Sequence, residues 1–248
     1  MTWFGALLRV HLFCALGSTA VYWIAAFARK GSPIHRSAGR WFSRLIYAAA
    51  VTGAIMAVAG LLIPERVHPP NPDVQAAASA AAAAAARQLM WFVLYVLVII
   101  VAPVQHGLAT IAAGPSPRTI SSARHTALNV AAMAGSLAIA IASIVWRQWM
   151  FLIVAPIGLI AGIRNMQYAA LATATPGEWQ REHLTSMITG GITLHTAFFV
   201  FGSSRSLGLT LPGVLELLPW TLAALVGVPV MLWWRARVAK NPILVGRR

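Results

Sequence analysis

The sequence predicts an all-α protein, a polytopic bundle of about seven membrane-spanning helices with its N-terminus outside and its C-terminus in the cytoplasm. Of the 248 residues, 59% are hydrophobic and only 10% are charged, whereas a soluble domain carries about 25% charged residues. The apolar residues form long segments, and a spanning helix needs about 20 mainly apolar residues. Most positive charges lie on one side of these segments, which gives the orientation.

The apolar segments are joined mostly by short loops, so we treat residues 1–248 as a single transmembrane domain. The expected spans cover approximately residues 3–28, 45–63, 90–113, 126–145, 148–171, 184–201 and 213–234. The second loop opens with prolines and continues as a run of alanines. Because alanine is the best helix former, we expect the third helix to extend outside the membrane, with Asp73 placed to cap it.

Lysines and arginines set the expected orientation. They are concentrated in the first, third and fifth loops and in the tail, which share one side if every segment spans the membrane. These residues are Arg29, Lys30, Arg36, Arg40, Arg44, Arg118, Arg124, Arg181, Arg235, Arg237, Lys240, Arg247 and Arg248. The opposite side carries only Arg66, Arg87, Arg147 and Arg205. By the positive-inside rule the basic side faces the cytoplasm, as in a multi-pass protein of the bacterial inner membrane.

The net charge of +14 does not indicate a nucleic-acid partner. The basic residues flank apolar segments and do not form a stripe with interleaved aromatic residues. Such a placement is typical of topology signals and of contacts with anionic lipids at the cytoplasmic face. The expected partners are therefore the lipid bilayer, anionic lipids and other membrane proteins.

Several classes of membrane enzyme need residues that this sequence lacks. Its single cysteine, Cys14, excludes an internal disulfide and a cysteine-based metal site. The five acidic residues do not cluster, and none falls near the expected middle of a span. Aspartate-rich magnesium sites and the intramembrane carboxylates of ion-coupled transporters are therefore not indicated. No metalloprotease, phosphate-loop, serine-hydrolase or dinucleotide motif occurs.

Three histidines fall within expected spans. His11 and His195 lie at similar depths, so the first and sixth helices are placed to offer two axial imidazoles to a b-type haem. His106 lies nearer the cytoplasm, at the level of the cytoplasmic histidines, so a second, inner haem site is a further expectation. Arg164 lies at the same level and would neutralise a haem propionate, a quinone oxygen network or an anionic lipid. The alternative is that each histidine makes a helix–helix hydrogen bond and that Arg164 extends to the interface.

Three further histidines lie at the expected cytoplasmic face, each beside or near an arginine. His125 and His183 open the fourth and sixth helices, and His35 precedes the second. If these helices are neighbours, the imidazoles converge with Arg36 and Arg181 on a metal ion or on a phosphate or carboxylate headgroup. The alternative is three separate histidines that cap helices and touch lipid.

Two short motifs resemble those of a known family. The stretch from Arg29 to Trp41 reads RKGSPIHRSAGRW, and the sixth helix opens with an Arg181, His183, Met187 pattern. Both resemble a family of uncharacterised bacterial multi-pass membrane proteins, a domain of unknown function with a Lys-Gly…His-Arg…Gly-Arg cytoplasmic loop. The resemblance implies a helix bundle with a shared cytoplasmic cluster of histidine and arginine, and no particular reaction. The family positions are Lys30, Gly31, His35, Arg36, Gly39 and His183.

In that loop, the two glycines are expected to allow tight turns that aim His35 and Arg36 at the cytoplasmic mouth of the bundle. Three functions remain open. The first is a structural or accessory subunit of a membrane complex. The second is a redox protein associated with haem b or quinone, using His11, His195 and His106. The third is a carrier or lipid-handling protein built around the cytoplasmic cluster of histidine and arginine.

Overall fold

The computed structural model describes residues 3–67, 76–203 and 212–240. Within these ranges the chain forms helices and no strands, and seven helices are long and apolar enough to cross a membrane. We number them α1 (Trp3–Phe27), α2 (Pro33–Leu62), α3 (Ala76–Ala113), α4 (Ala123–Trp146), α5 (Trp149–Ala169), α6 (Pro176–Ala197) and α7 (Leu218–Lys240). The predicted all-α bundle of about seven spans is confirmed.

Short helical turns complete the described chain. They cover Pro64–Val67, Pro117–Ile120 and Gly213–Leu217, and α6 continues as a π-helical turn over Phe198–Ser203. The long helices themselves have 21 to 38 residues, so each reaches the length of about 20 residues that a membrane span needs.

α2 starts well before its apolar segment, at Pro33 and not near residue 45. Ser32 caps the helix by accepting the backbone N–H of His35 (3.2 Å), and proline suits the first turn because its missing N–H is not needed there. The turn before it uses Gly31, whose φ is +78°. Gly39 lies inside α2, so only Gly31 has the expected role in a tight turn.

α3 and α6 also begin earlier than their apolar segments. α3 starts at Ala76 and has 38 residues, so the alanine run is helical and extends beyond the span, as expected. Asp73, the expected cap, lies outside the described residues. α6 starts at Pro176 and not near residue 184, because Thr175 and Glu178 form a capping box. Residues 176–183 therefore belong to the helix and not to a loop.

Two histidines set the register of the antiparallel α1–α2 hairpin. His35 Nδ1 donates to the carbonyl oxygen of Ala25 (2.9 Å), close to the turn. Further along the hairpin, His11 Nδ1 donates to the carbonyl oxygen of Ala49 (3.0 Å). A slip of the hairpin by one residue would break both bonds, so the two histidines hold the helices in one alignment.

α3 lies at the centre of the bundle. Its Phe92 stacks on Phe151 of α5, with ring centroids 4.1 Å apart. The Tyr95 hydroxyl lies 3.0 Å from Ser136 Oγ of α4 and donates to the carbonyl oxygen of Ala155 of α5 (2.7 Å). One tyrosine thus joins three helices.

Apolar side chains also cover the outside of the bundle. Val51, Ile141 and Leu225 are 60%, 65% and 64% exposed. A soluble helix would place a polar face outward. Apolar residues on both the inner and outer faces are typical of a bundle surrounded by lipid.

Successive long helices run in opposite directions, so the connections between them lie at two ends of the bundle. One end contains the α1–α2 turn, the α3–α4 and α5–α6 connections and the end of α7. There the N–H of Ala174 donates to the carbonyl oxygen of Pro115 (3.0 Å), and Lys30 Nζ lies 5.1 Å from the Trp234 ring centroid. We call this the basic end, and we expect it to face the cytoplasm because of its arginines and lysines.

Candidate functional site

Three ionisable side chains form a continuous chain inside the basic end. His106 Nδ1 on α3 lies 3.0 Å from His125 Nε2 on α4, and His106 Nε2 lies 3.3 Å from Glu182 Oε1 on α6. The two histidines are 0% and 1% exposed, and the Glu182 side chain is 12% exposed. Ionisable groups inside a membrane bundle are rare and commonly functional. We call His125–His106–Glu182 the relay.

Local structure places the members of the relay. His125 lies in the first turn of α4, where Ser122 caps the helix by accepting its backbone N–H (3.2 Å). Next to His106 is Gly107, where an added Cβ would lie only 3.1 Å from Ser186 Cβ of α6. The missing side chain therefore lets α6 come close enough to α3 for Glu182 to reach His106.

The chemistry of the relay sets the direction of its hydrogen bonds. An ionised carboxylate only accepts, so His106 Nε2 carries a proton and donates to Glu182. Neutral His106 then accepts at Nδ1 from the Nε2–H of His125. If a proton arrives at His125 Nδ1, the Nε2 proton of His125 can move to His106 while the Nε2 proton of His106 moves to Glu182. One proton is thereby transferred from His125 to Glu182, and both imidazoles are neutral again.

Two guanidinium groups interact with the carboxylate of Glu182, and a third lies within electrostatic range of one of them. Arg164 Nη2 of α5 is 3.9 Å from Glu182 Oε2. Arg235 Nη1 of α7 donates to Thr185 Oγ1 of α6 (3.0 Å) and interacts electrostatically with Arg164, Glu182 and Arg181. Positive charge therefore exceeds negative charge around this point of the bundle.

The hydroxyl of Tyr168 adds a donor to the same region. The Tyr168 ring stands edge-on to the His106 ring, with centroids 5.7 Å apart, and the residue is 8% exposed. Its hydroxyl is buried, has no hydrogen-bond partner among the described residues, and lies within electrostatic range of Glu182 and Glu178. A buried hydroxyl normally has a partner, so we expect a bound water or ligand to accept from it.

The three histidines expected at the cytoplasmic face form two groups and do not converge on one point. His125 belongs to the relay. His183 Nδ1 instead donates to the carbonyl oxygen of Gly107 (2.8 Å) and interacts electrostatically with His35 and Lys30. Burial lowers the pKa of the Lys30 ammonium, which donates to the last carbonyls of α1. Within the described ranges, no three His, Cys, Asp or Glu side chains are arranged to hold a metal ion.

The arginines expected beside these histidines also separate. Arg181 is half-buried and lies within electrostatic range of Arg235, close to the relay. Arg36 is exposed near the start of α2. Arg164, expected at the level of His106, does lie beside the relay through its contact with Glu182.

His11 and His195, the expected haem ligands, are not brought together. His11 donates to a carbonyl of α2, as described above, whereas His195 Nε2 accepts from Trp23 Nε1 of α1 (3.0 Å). His195 Nδ1 donates to the carbonyl oxygen of Gly191 (2.7 Å), so both of its ring nitrogens are occupied. His11 and Trp23 are about 18 Å apart along the axis of α1. The two imidazoles therefore lie against different parts of α1.

The contact of Glu182 with His106 was not predicted. Glu182 was expected in a loop, because the apolar segment of the sixth span begins two residues later. The signal that identifies the true helix start is the Thr175–Glu178 capping box. With the helix starting there, Glu182 falls on a buried face of α6 and not in the solvent.

Comparisons with protein-family models, curated proteins and solved structures found no match for this chain. A functional assignment therefore depends on the geometry of the site. The resemblance to the family with the Lys-Gly…His-Arg…Gly-Arg loop stays a prediction.

Proposed function

We propose that this protein is a proton-linked membrane carrier of an anion that binds beside Glu182 at the basic end. The observation that supports this proposal is the buried relay, which leads from His125 at the start of α4 to a carboxylate paired with Arg164. It develops the hypothesis of a carrier built around a cluster of histidine and arginine.

The relay links a proton to an anion through the charge of Glu182. While Glu182 is ionised, it holds Arg164 in an ion pair and neutralises part of the positive charge around it. When the relay delivers a proton, the carboxylate becomes neutral and Arg164 loses its counter-ion. Arg164, whose side chain is 42% exposed, and the half-buried Arg235 then hold like charges within electrostatic range of each other. An anion between them relieves this repulsion. Proton uptake and anion binding therefore favour each other.

The test is proton entry into sealed vesicles that contain the purified full-length protein and a trapped pH-sensitive dye. The outer buffer holds a set of small anions, namely phosphate, sulfate and succinate, and a pH step drives the flux. We expect the wild-type protein to admit protons faster than empty vesicles do. Glu182→Gln and His106→Gln are expected to reduce the rate to that of empty vesicles, because each breaks the relay.

The matched control is Glu216→Gln, in the short turn before α7, where the glutamate is exposed. This turn lies at the end of the bundle opposite the basic end, so the relay and its arginines keep their groups. Proton entry should therefore match the wild type. If wild-type vesicles were no faster than empty ones, or if Glu182→Gln behaved as Glu216→Gln does, the relay would only hold helices together. The protein would then fit a structural or accessory subunit better.

A further inference from the structure

We propose that the anion is a phosphate group, held between Arg164, Arg181, Arg235 and the hydroxyl of Tyr168. This inference rests on the proposed function and names the class of ligand. It is carried by the contacts of Arg164 with Glu182 (3.9 Å) and of Arg235 with Thr185 (3.0 Å) on α6. Beside them, the buried Tyr168 hydroxyl has no described hydrogen-bond partner, and its ring lies against His106.

The arrangement of the donors favours a phosphate over a carboxylate. Arg164 and Tyr168 belong to α5, Arg181 to α6 and Arg235 to α7, so donors approach from several directions. A carboxylate offers two oxygens in one plane, whereas a phosphate offers several oxygens arranged tetrahedrally. Guanidinium groups also bind phosphate with paired hydrogen bonds. A phosphate can therefore engage donors on different helices together.

The net charge of the site also favours a phosphate. Arg235 interacts with two guanidiniums and one carboxylate, and Thr185 holds it in place. Glu178 also interacts with Arg181. The five groups together, Arg164, Arg181, Arg235, Glu178 and Glu182, still carry one excess positive charge, and two when Glu182 is protonated. A phosphate carries a charge of about −1.5 to −2 near neutral pH, which matches the protonated state of the site.

The buried hydroxyl provides the second, independent observation. Tyr168 is 8% exposed, lies against His106, and has an O–H with no described acceptor. A phosphate oxygen at this point would accept that bond and satisfy the group. The Tyr168 hydroxyl thereby becomes a contact to the ligand and not merely part of the packing.

The experiment measures binding of inorganic phosphate to the purified full-length protein by calorimetry. A parallel arm uses native mass spectrometry after incubation with micelles of phosphatidic acid. Arg235→Gln should weaken binding by about tenfold or more, the usual loss for a charged hydrogen bond. Arg237→Gln is the control, because Arg237 is exposed and lies over the Trp233 ring, 5.3 Å from its centroid.

Tyr168→Phe separates a ligand contact from a structural role. Removing a hydroxyl that has no partner should leave thermal stability without ligand unchanged or slightly higher, because no hydrogen bond within the protein is lost. Binding of phosphate should nevertheless fall. If Tyr168→Phe lowered the thermal stability of the ligand-free protein as well as its phosphate binding, the hydroxyl would serve the fold alone. That result would overturn its assignment as a ligand contact.

The two arms distinguish the source of the phosphate. Binding of inorganic phosphate would indicate a soluble ligand, and selective retention of phosphatidic acid would indicate a lipid headgroup; either result supports the inference. Equal binding by Arg235→Gln and Arg237→Gln in both arms, or tighter binding of succinate than of phosphate, would overturn it. If phosphate failed to bind while proton entry still required Glu182, only the identity of the anion would be wrong. If phosphate bound but proton entry did not require Glu182, the proposed carrier function would be wrong.

Discussion

At the scale of single residues, a pair of buried asparagines holds in place the turn of α4 that carries His125. Asn129 Nδ2 donates to the carbonyl oxygen of His125 one turn earlier on α4 (2.8 Å). Asn129 Oδ1 accepts from Asn165 Nδ2 of α5 (2.8 Å), and both residues are buried. The amides thus fix the first turn of α4 against α5 at the place where His125 enters the relay.

We expect these two amides to be energetically coupled. Asn129→Ala and Asn165→Ala should each destabilise the protein, because each leaves a buried polar group without its partner. The double variant should lose less than the two single losses combined, with a coupling of about 0.5–2 kcal/mol, as for other hydrogen bonds between membrane helices. Unfolding of all four proteins in mixed detergent micelles measures the cycle. Simple additivity would mean that the amide–amide bond contributes nothing to stability.

At the scale of helices, glycines decide how closely α4 and α5 pack. A Cβ added at Gly158 would lie 2.6 Å from the carbonyl oxygen of Ala132, and one at Gly162 would lie 2.6 Å from Met133 Cγ. The helices therefore touch with little side chain between them, as small residues permit in membrane bundles. This close contact also brings Asn165 within hydrogen-bonding distance of Asn129. It places Arg164 near Glu182 at the basic end.

Gly158→Ala should therefore destabilise the protein by about 1–3 kcal/mol, the usual effect of overpacking. The added methyl group meets a backbone carbonyl, which cannot turn aside as a flexible side chain can. The matched control is Gly39→Ala within α2, where nothing lies within 4 Å of the added Cβ. That change should be neutral or stabilise by about 0.5–1 kcal/mol, because alanine favours helix. Thermal unfolding compares the two, and equal effects would contradict the close packing of α4 and α5.

At the scale of the whole molecule, the position of the relay at the basic end determines the side from which a proton or an anion would reach it. The α1–α2 turn, the neighbouring connections and the end of α7 meet there, and Lys30 lies over Trp234 between the first and last helices. His183 and His35 lie beside this contact, and Glu182 directly precedes His183 in α6. A proton or an anion that enters from the expected cytoplasmic side thus meets the site near the surface of the bundle.

The expected orientation is tested by labelling single cysteines in intact cells with a reagent that does not cross membranes. In a Cys14→Ala background, Ala81→Cys lies on the exposed early part of α3 and Lys240→Cys at the exposed end of α7. We expect Ala81→Cys to be labelled from outside, and Lys240→Cys only after the cells are opened. The positive-inside rule predicts this result, and the reverse pattern would contradict the orientation.

The sequence by itself was sufficient for the fold class and for the number of spans. Hydrophobic length depends on local composition, and a bilayer accepts only helices or closed barrels, so seven apolar segments leave little choice of architecture. Composition also predicted the helical alanine run, and residue type alone identified histidine and arginine as the candidate groups. Hydrophobicity did not locate the starts of α2 and α6, because the capping residues Ser32 and Thr175 set where these helices begin.

The grouping of the polar side chains was decided only by the tertiary structure. Depth along a helix suggested His11 with His195, and a shared membrane face suggested His35 with His125 and His183. The actual pairs depend on which face each helix turns to its neighbours and how closely the helices approach. Glycines such as Gly107 and Gly158 control that approach through contacts between residues distant in the sequence. For this reason His106 meets His125, whose level in the membrane it was expected to share, and also Glu182, whose contact with His106 was not predicted.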